Sequence, residues 1–323
     1  MTTPAFLITI DTEGDDIWSP SRRVTTENAR FLPRFQDLCE EYGFKPTYLV
    51  NHEMASDDGF ASFGRSVVRR GAGEIGLHIH PWNSPPFEGE PRNDVPHVYL
   101  FEVPQDLLRQ KIEHLTRLLE ERFEVRPRSH RAGRWGFDER VARLLSDAGY
   151  LVDCSVTPGV SWRKHLGAPD GRGGTDYFGF PDAPYFLDLD DIRRPGTSSI
   201  LEVPVTIRPN HPAALRGWHH AFETRRLGRT LRRFLGPPFS WLRPNGKNLD
   251  GMLAVVDWAL ARRAPALEFM LHSSEFMPGG SPTFRTAEQI ETLYLHLKRL
   301  FERLSSSVRG QTLSEFRSAW APT

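Results

Sequence analysis

Short β-branched and aromatic runs alternate with helix-period segments along almost the whole chain, and this alternation limits the fold more than any other feature. Ala5–Ile10 reads as a buried strand. Leu32, Phe35, Leu38, Cys39 and Tyr42 then recur at helical spacing, and Gly43 stops that helix. Thr47–Asn51 is a second strand, and a helix around Phe60–Arg70 leads to a third, Glu74–His80. Beyond a Pro-rich loop over 81–103, Leu108, Ile112, Leu115 and Leu119 mark an amphipathic helix. Arg128–Arg131, Tyr150–Ser155 and Ile200–Thr206 are further strand candidates. A helix from about Asp138 to Gly149 separates the first two, and a long Gly/Asp-rich loop over 156–199 separates the last two. Leu249–Arg262 is helical and Leu267–Leu271 is the last strand. A final helix starts near Thr286, where Thr286 and Gln289 fit a capping box, and Ile290, Leu293, Leu297, Leu300 and Leu304 give it an apolar face. Strands alternating with helices form parallel β-α units. About seven of them make a barrel or a wide open sheet.

At 323 residues the chain is long enough for one large core. No repeat, low-complexity tract or linker divides it, so a single domain over 1–323 is expected, with a strand-bearing part at about 5–275 and C-terminal helices at about 284–320. Lys plus Arg and Asp plus Glu both number 41, which disfavours a globally basic nucleic-acid binder and an acidic tail protein. Two cysteines, Cys39 and Cys154, exclude a disulfide scaffold and a four-cysteine zinc module, and both read as small buried apolar residues. No apolar run has the roughly 18 residues of a membrane span. Met1–Ile10 lacks the basic start of a signal peptide, so a cytoplasmic protein is expected.

In either architecture, ligands gather where parallel strands end. Polar residues sit at those ends: Asp11 and Glu13, then His78 and His80, then His130-Arg131, then Asp153 and Ser155, and last His272 with Ser273, Ser274 and Glu275. On a strand, residues two apart face the same side. The imidazoles of His78 and His80 can therefore share one metal, with a carboxylate as third ligand. Asp11 and Glu13 follow the same spacing, so one can complete the metal site while the other acts as a base. Asp15 and Asp16 read as loop carboxylates within reach of the same ion. His272 can protonate a leaving group, since imidazole titrates near neutrality. Arg131 can orient the base through an ion pair.

These residues, in this order, resemble the polysaccharide deacetylases of the NodB-homology type, carbohydrate esterase family 4. Thr9-Ile10-Asp11 is similar to the family's first motif, and Glu74-Ile75-Gly76-Leu77-His78-Ile79-His80-Pro81 to its second. Arg131-Ala132-Gly133-Arg134-Trp135, Asp153-Cys154-Ser155 and Phe269-Met270-Leu271-His272 stand in the places of the third, fourth and fifth. The likeness spans about residues 5–275. His-x-His-Pro-Trp and the segment from Leu271 to Gly280 are similar to a divergent branch found with cell-surface polysaccharide genes. Three departures stand out. Thr12 occupies the place of the usual acidic ligand, the two histidines are two rather than four positions apart, and the third motif lacks its Pro and Tyr.

The resemblance implies a distorted (β/α) barrel, usually of seven strands, and metal-dependent hydrolysis of acetyl groups on N- or O-acetylated sugars. It implies a divalent ion, zinc before cobalt, nickel or manganese, on His78, His80 and Glu13. Asp11 is then the base, Arg131 with Asp153 positions it, and His272 is the acid. Aromatic platforms suit a pyranose, and Trp18, Trp82, Trp135 and Trp162 fall in loops near strand ends, with Arg134 beside Trp135. No Gly-x-Ser-x-Gly elbow suggests a serine nucleophile. Arg225, Arg226, Arg229, Arg232 and Arg233 form a basic run, read either as a solvated helix face or as a contact for phosphate or an anionic membrane surface. The expected partner is an acetylated carbohydrate, with no nucleic acid and no obligate protein partner. Two other readings remain: an amidohydrolase on a small non-sugar amide, and a non-catalytic carbohydrate-binding protein.

Overall fold

The computed structural model describes residues 3–15, 17, 24–87, 99–168, 171–222 and 236–320. β1 (Ala5–Thr12) is buried along its whole length, as a run flanked by neighbours on both faces must be. It pairs in parallel with β2 (Pro46–Val50) on one side and with β10 (Ala266–His272) on the other. The sheet continues through β3 (Glu74–Ile79), β4 (Ser129–Ala132), β5 (Val152–Asp153) and β7 (Leu201–Glu202). In the order β10-β1-β2-β3-β4-β5-β7, these seven strands run parallel. The Thr206 N–H then bonds the Glu268 carbonyl at 3.2 Å, and the Glu268 N–H bonds Thr206 Oγ1 at 2.8 Å. The chain leaving β7 thus returns to β10, and the sheet curls into the distorted seven-stranded barrel.

The predicted helices form where the periodicity puts them. They are α1 (Leu32–Glu41), α3 (Asp58–Arg69), α4 (Gln105–Phe123), α5 (Glu139–Asp147), α7 (Leu249–Ala261) and α8 (Ala287–Ser305), with α9 (Leu313–Ala319) in the expected C-terminal helical stretch; the short α2 (His52–Ser56) and α6 (Ala213–Phe222) have no counterpart in the sequence reading. Asp138 caps α5 by accepting from the Val141 N–H. Thr286 and Gln289 form the expected capping box of α8. Cys39 and Cys154 are buried free thiols.

The differences from expectation lie where side chains compete with the backbone. The expected strand over Tyr150–Ser155 is only two residues long. Asp153 Oδ1 accepts the Ser155 N–H at 2.9 Å, and Glu202 Oε1 accepts the Val156 N–H at 3.0 Å, so carboxylates end the ladder. The loop over 156–199 carries a two-residue strand, β6 (Tyr185–Phe186), antiparallel to β7. A hairpin of β8 (Ile207–Pro209) and β9 (Phe239–Trp241) was not expected; each strand has three residues, too few to show a period. The short β11 (Arg309–Gly310) pairs with β1.

Strand parity sorts the interior into layers. Leu7, Leu49, Val152, Cys154, Leu201 and Val203 form an apolar plug together with Leu313 and Phe316 of α9. Phe6, Ile8 and Ile10, of opposite parity, belong to the larger core beneath the helices. Above the plug the inward positions become polar: Thr9, Glu268 and Arg131, then Asp11, His78 and His272. No helix among the described residues is long and apolar enough to cross a membrane.

Candidate active site

Arg131 is the base of the site. It has no exposed surface, and its guanidinium has a partner at every nitrogen. Nη1 donates to Asp11 Oδ1 at 2.7 Å, Nη2 donates to Thr9 Oγ1 at 2.8 Å and to Glu268, and Nε donates to the Cys154 carbonyl at 3.0 Å. β4 can present it there because Arg131 is in register with His78 of β3. Burial raises the Asp11 pKa, but the Arg131 cation together with His78 and His272 outweighs it and holds the carboxyl below its ordinary value. At neutral pH Asp11 is a carboxylate with one oxygen fixed and Oδ2 facing the cavity.

Glu13, just past β1, is locked by two bonds to one side chain. Its N–H donates to Ser273 Oγ, and Ser273 Oγ donates to its carbonyl, both at 3.0 Å. This places Glu13 Oε2 3.0 Å from His80 Nε2 and 3.3 Å from His78 Nε2, while the two Nε2 atoms lie 3.0 Å apart. All three side chains are buried. The Arg131 carbonyl, which can only accept, takes its bond from His78 Nδ1 at 3.0 Å. A neutral His78 therefore turns its lone pair at Nε2 to the centre. Burial pushes His80 down to about 4, which leaves its ring neutral at pH 7.

The donor set fits a divalent ion. Ligand atoms on a tetrahedral zinc, at about 2.0–2.1 Å from the metal, stand about 3.3 Å apart, close to the three separations here. Charge points the same way. Burial opposes ionisation of Glu13, yet bonds with His78 and His80 hold its pKa well below the carboxylate range. Burial likewise opposes ionisation of Glu275, but Arg243 and His272 bring it down to about 2. Asp11, Glu13 and Glu275 thus present three negative charges to two guanidiniums, Arg131 and Arg243. His78 is also raised, because Asp11 and Glu13 outweigh its burial. A proton on His78 and a cation between the three ligands are two answers to the same negative field.

His80 lies against Gly133. A Cβ on Gly133 would stand 2.2–2.6 Å from the His80 ring atoms. Gly133→Ala is therefore expected to displace the ring and lower metal affinity on the order of 10–100-fold, as losses of supporting contacts do. Metal titration against a competing chelator checks this.

His272, opposite, ends β10 in register with Asp11. Its Nε2 lies 3.8 Å from Asp11 Oδ2 and 3.7 Å from Glu13 Oε1. Its Nδ1 lies 3.1 Å from Glu275 Oε2 and 3.1 Å from Arg243 Nη2, and Arg243 in turn pairs with Glu275 at 3.2 Å. Glu275 also accepts the His272 N–H at 3.0 Å. Arg243 and Glu275 were legible only in part. Glu275 stands among the polar strand-end residues, but nothing in the sequence gives it His272 as a partner. Arg243 has no role at this site in the sequence reading.

The cavity above these groups has a volume of about 400 Å3. Trp82, Trp135, Trp162, Tyr99, Arg134 and His165 supply its walls. Trp82 packs on His80 with ring centroids 4.1 Å apart, and Trp135 and Trp162 stack at 6.4 Å. Arg134 and Trp135 are consecutive left-handed residues, with φ of 55° and 58°. Such conformations persist where the surrounding structure enforces them. Here they turn both side chains to the cavity.

Asp153 is not brought to this site. It is one position out of parity with Arg131 and fully buried on the helix-facing side. There it pairs with His130 Nδ1 and accepts from Ser155 Oγ at 3.0 Å. The backbone carbonyl of its neighbour Cys154 reaches Arg131 instead. Asp15 is occupied by the Glu27 and Asn28 N–H groups and the Thr25 hydroxyl, which makes it a loop anchor. Asp16, Trp18 and the run Arg225–Arg233 lie outside the described residues.

No family model and no curated protein matches the chain. Solved structures do match. A Mycobacterium smegmatis protein assigned to the polysaccharide deacetylases is 16% identical, with 98% of this chain and 91% of that one covered and a TM-score of 0.56. A 4-alpha-glucanotransferase from Thermococcus litoralis is 14% identical over 100% of this chain and 41% of that one, at a TM-score of 0.54. An allantoinase is 15% identical over 98% and 89%, at a TM-score of 0.52. The chain has this shared fold, which carries more than one chemistry, so the site must decide the function.

Proposed function

We propose that this chain is a metal-dependent hydrolase that removes acetyl groups from an N- or O-acetylated sugar or glycan, acting as one unit over its whole length. The carrying observation is the arrangement of Glu13, His78 and His80 around one point, with Asp11 and His272 beside it in an aromatic-walled cavity. Glu13, His78 and His80 would hold the ion, zinc by preference for this nitrogen and oxygen set. When bound, a divalent ion supplies Lewis acidity toward the acyl carbonyl and makes a water nucleophilic near neutral pH.

The chain's own residues do the rest. Asp11 Oδ2 takes the proton of the attacking water, and Arg131 fixes the other oxygen so that Oδ2 keeps one direction. His272 Nε2 gives a proton to the departing amine nitrogen or hydroxyl oxygen as the bond to the acetyl carbon breaks. Glu275 and Arg243 hold the His272 ring through Nδ1. The tryptophans bury the faces of a sugar ring and exclude water around it. This wall, wide and aromatic, favours a sugar over a small non-sugar amide. Acetate release from a panel of acetylated mono- and oligosaccharides, compared with ureide and simple amide substrates, tests the reading. Turnover of amides alone contradicts it.

The clamp on His272 has a consequence for stability. A carboxyl depressed in the folded state contributes stability above its unfolded pKa and loses it as pH falls through the folded value. For Glu275, lowered from 4.5 to about 2, the window is pH 4.5 down to 2. Glu275→Gln is expected to lower stability on the order of 3 kcal/mol at pH 7. The difference from wild type should shrink through that window, as read by urea denaturation at several pH values.

A further inference from the structure

The peptide of Glu13 lies past the end of β1, where the sheet no longer holds it. The last carbonyl of that strand, on Thr12, takes the Asn51 N–H at 3.0 Å. Beyond it, side chains take both groups of the Glu13 peptide. Ser273 serves its N–H and its carbonyl, and Asn28 Nδ2 donates to the same carbonyl at 2.9 Å. Asn28 belongs to the short helical turn Glu27–Phe31 and has no exposed surface. Asp15 Oδ1 fixes it twice, accepting the Asn28 N–H at 3.0 Å and the side-chain Nδ2. The other Asp15 oxygen takes the Glu27 N–H and the Thr25 hydroxyl. The orientation of the Asn28 amide is forced. Nδ2 faces two acceptors, and a flipped amide would set Oδ1 against both. As it stands, Oδ1 is buried and no described residue donates to it. A buried amide oxygen without a donor costs about 1–3 kcal/mol. An atom left in that state calls for a reason in the work of the protein.

We propose that Asn28 is a positioning residue of the metal centre: it holds the Glu13 peptide so that the Glu13 carboxylate faces His78 and His80 before an ion arrives. The inference rests on the metal reading of those three residues and is independent of the acetyl chemistry. Asp15 anchors Asn28, and Asn28 passes that anchorage to a ligand that the strand itself does not fix. A small rotation of the Glu13 peptide would be carried down the whole side chain to Oε2, which stands 3.0 Å from His80 and 3.3 Å from His78. A centre built in advance spares the ion the cost of ordering its ligand.

Asn28→Leu offers the test. Leucine has a similar volume, keeps the backbone N–H on Asp15, and removes the amide donor and the unpaired oxygen together. Ser273→Ala removes the other hold on the same carbonyl. Zinc titration against a competing chelator is run on the wild type, both single variants and the double variant, beside urea unfolding of each without metal. Asn28→Leu is expected to lower zinc affinity on the order of 10–100-fold in the folded protein. The double variant should lose more than the product of the two single factors, because each residue alone still holds the Glu13 carbonyl. Wild-type zinc affinity in folded Asn28→Leu, or factors that simply multiply, would overturn the proposal. A variant that loses stability and keeps its affinity would show a structural role only. Should Asn28→Leu not fold, Asn28→Ala takes the same measurements. Should the wild type bind no zinc, the metal reading falls, and hydrogen exchange of the Glu13 amide decides whether Asn28 holds that peptide. Exchange roughly tenfold or more faster in the variant, with the β1 amides unchanged, supports it, and equal exchange overturns it.

Discussion

Asp11→Asn is expected to reduce acetate release by about 10²–10⁴-fold, the range over which a positioned acid or base acts. Asparagine keeps the oxygen that accepts from Arg131 Nη1, so the geometry survives and only the proton acceptor is lost. The three metal-ligating side chains are untouched, and metal content should stay at the wild-type level. This pairing separates catalysis from metal binding: lower turnover with unchanged metal in the folded variant supports the assignment, and wild-type turnover contradicts it. The effect should be larger than that of Glu275→Gln, which touches His272 only through its Nδ1.

The largest expected effect on stability is at Arg131. Its cation is buried completely between Asp11 and Glu268. Burial already holds the Glu268 carboxyl above its ordinary pKa in spite of Arg131. Arg131→Met would leave Asp11 and Glu268 in the barrel interior without their countercharge. Loss of one partner of a buried pair costs about 3–5 kcal/mol, mostly through the charge left behind. The double variant Arg131→Met/Glu268→Gln should recover part of this loss, because the glutamine carries no charge to desolvate. Urea unfolding of the wild type, both single variants and the double variant measures the coupling. Additive changes would show that the guanidinium does not act on Glu268.

Much of this arrangement was legible in the chain. The alternation of strands and helices gave the parallel sheet, and the spacing His78-x-His80 gave two imidazoles on one face. Asp11 and His272 were visible as polar residues where apolar strands stop, and the structure puts them in register on adjacent strands. The rule that failed at Asp153 was parity. A motif places a residue near a strand end, but one step along a strand moves a side chain through the sheet. Arg131 and Cys154 face inward, so Asp153 faces out. Arg243 escaped for a different reason. It reaches the site from a hairpin whose strands are three residues long, and nothing local in such a segment shows which way it folds back. Glu275 was seen as a strand-end carboxylate, but its role follows from a tight turn after β10 that brings it under His272. Long-range closure, rather than propensity, decided these positions.

The central claim is that Glu13, His78 and His80 hold one divalent ion. The most direct test is the metal content of protein purified without chelator, beside a His78→Ala/His80→Ala variant shown to be folded. About one equivalent of zinc, cobalt, nickel or manganese in the wild type, absent from the variant, is the predicted result. No metal in the wild type, even after incubation with each ion, would contradict the account.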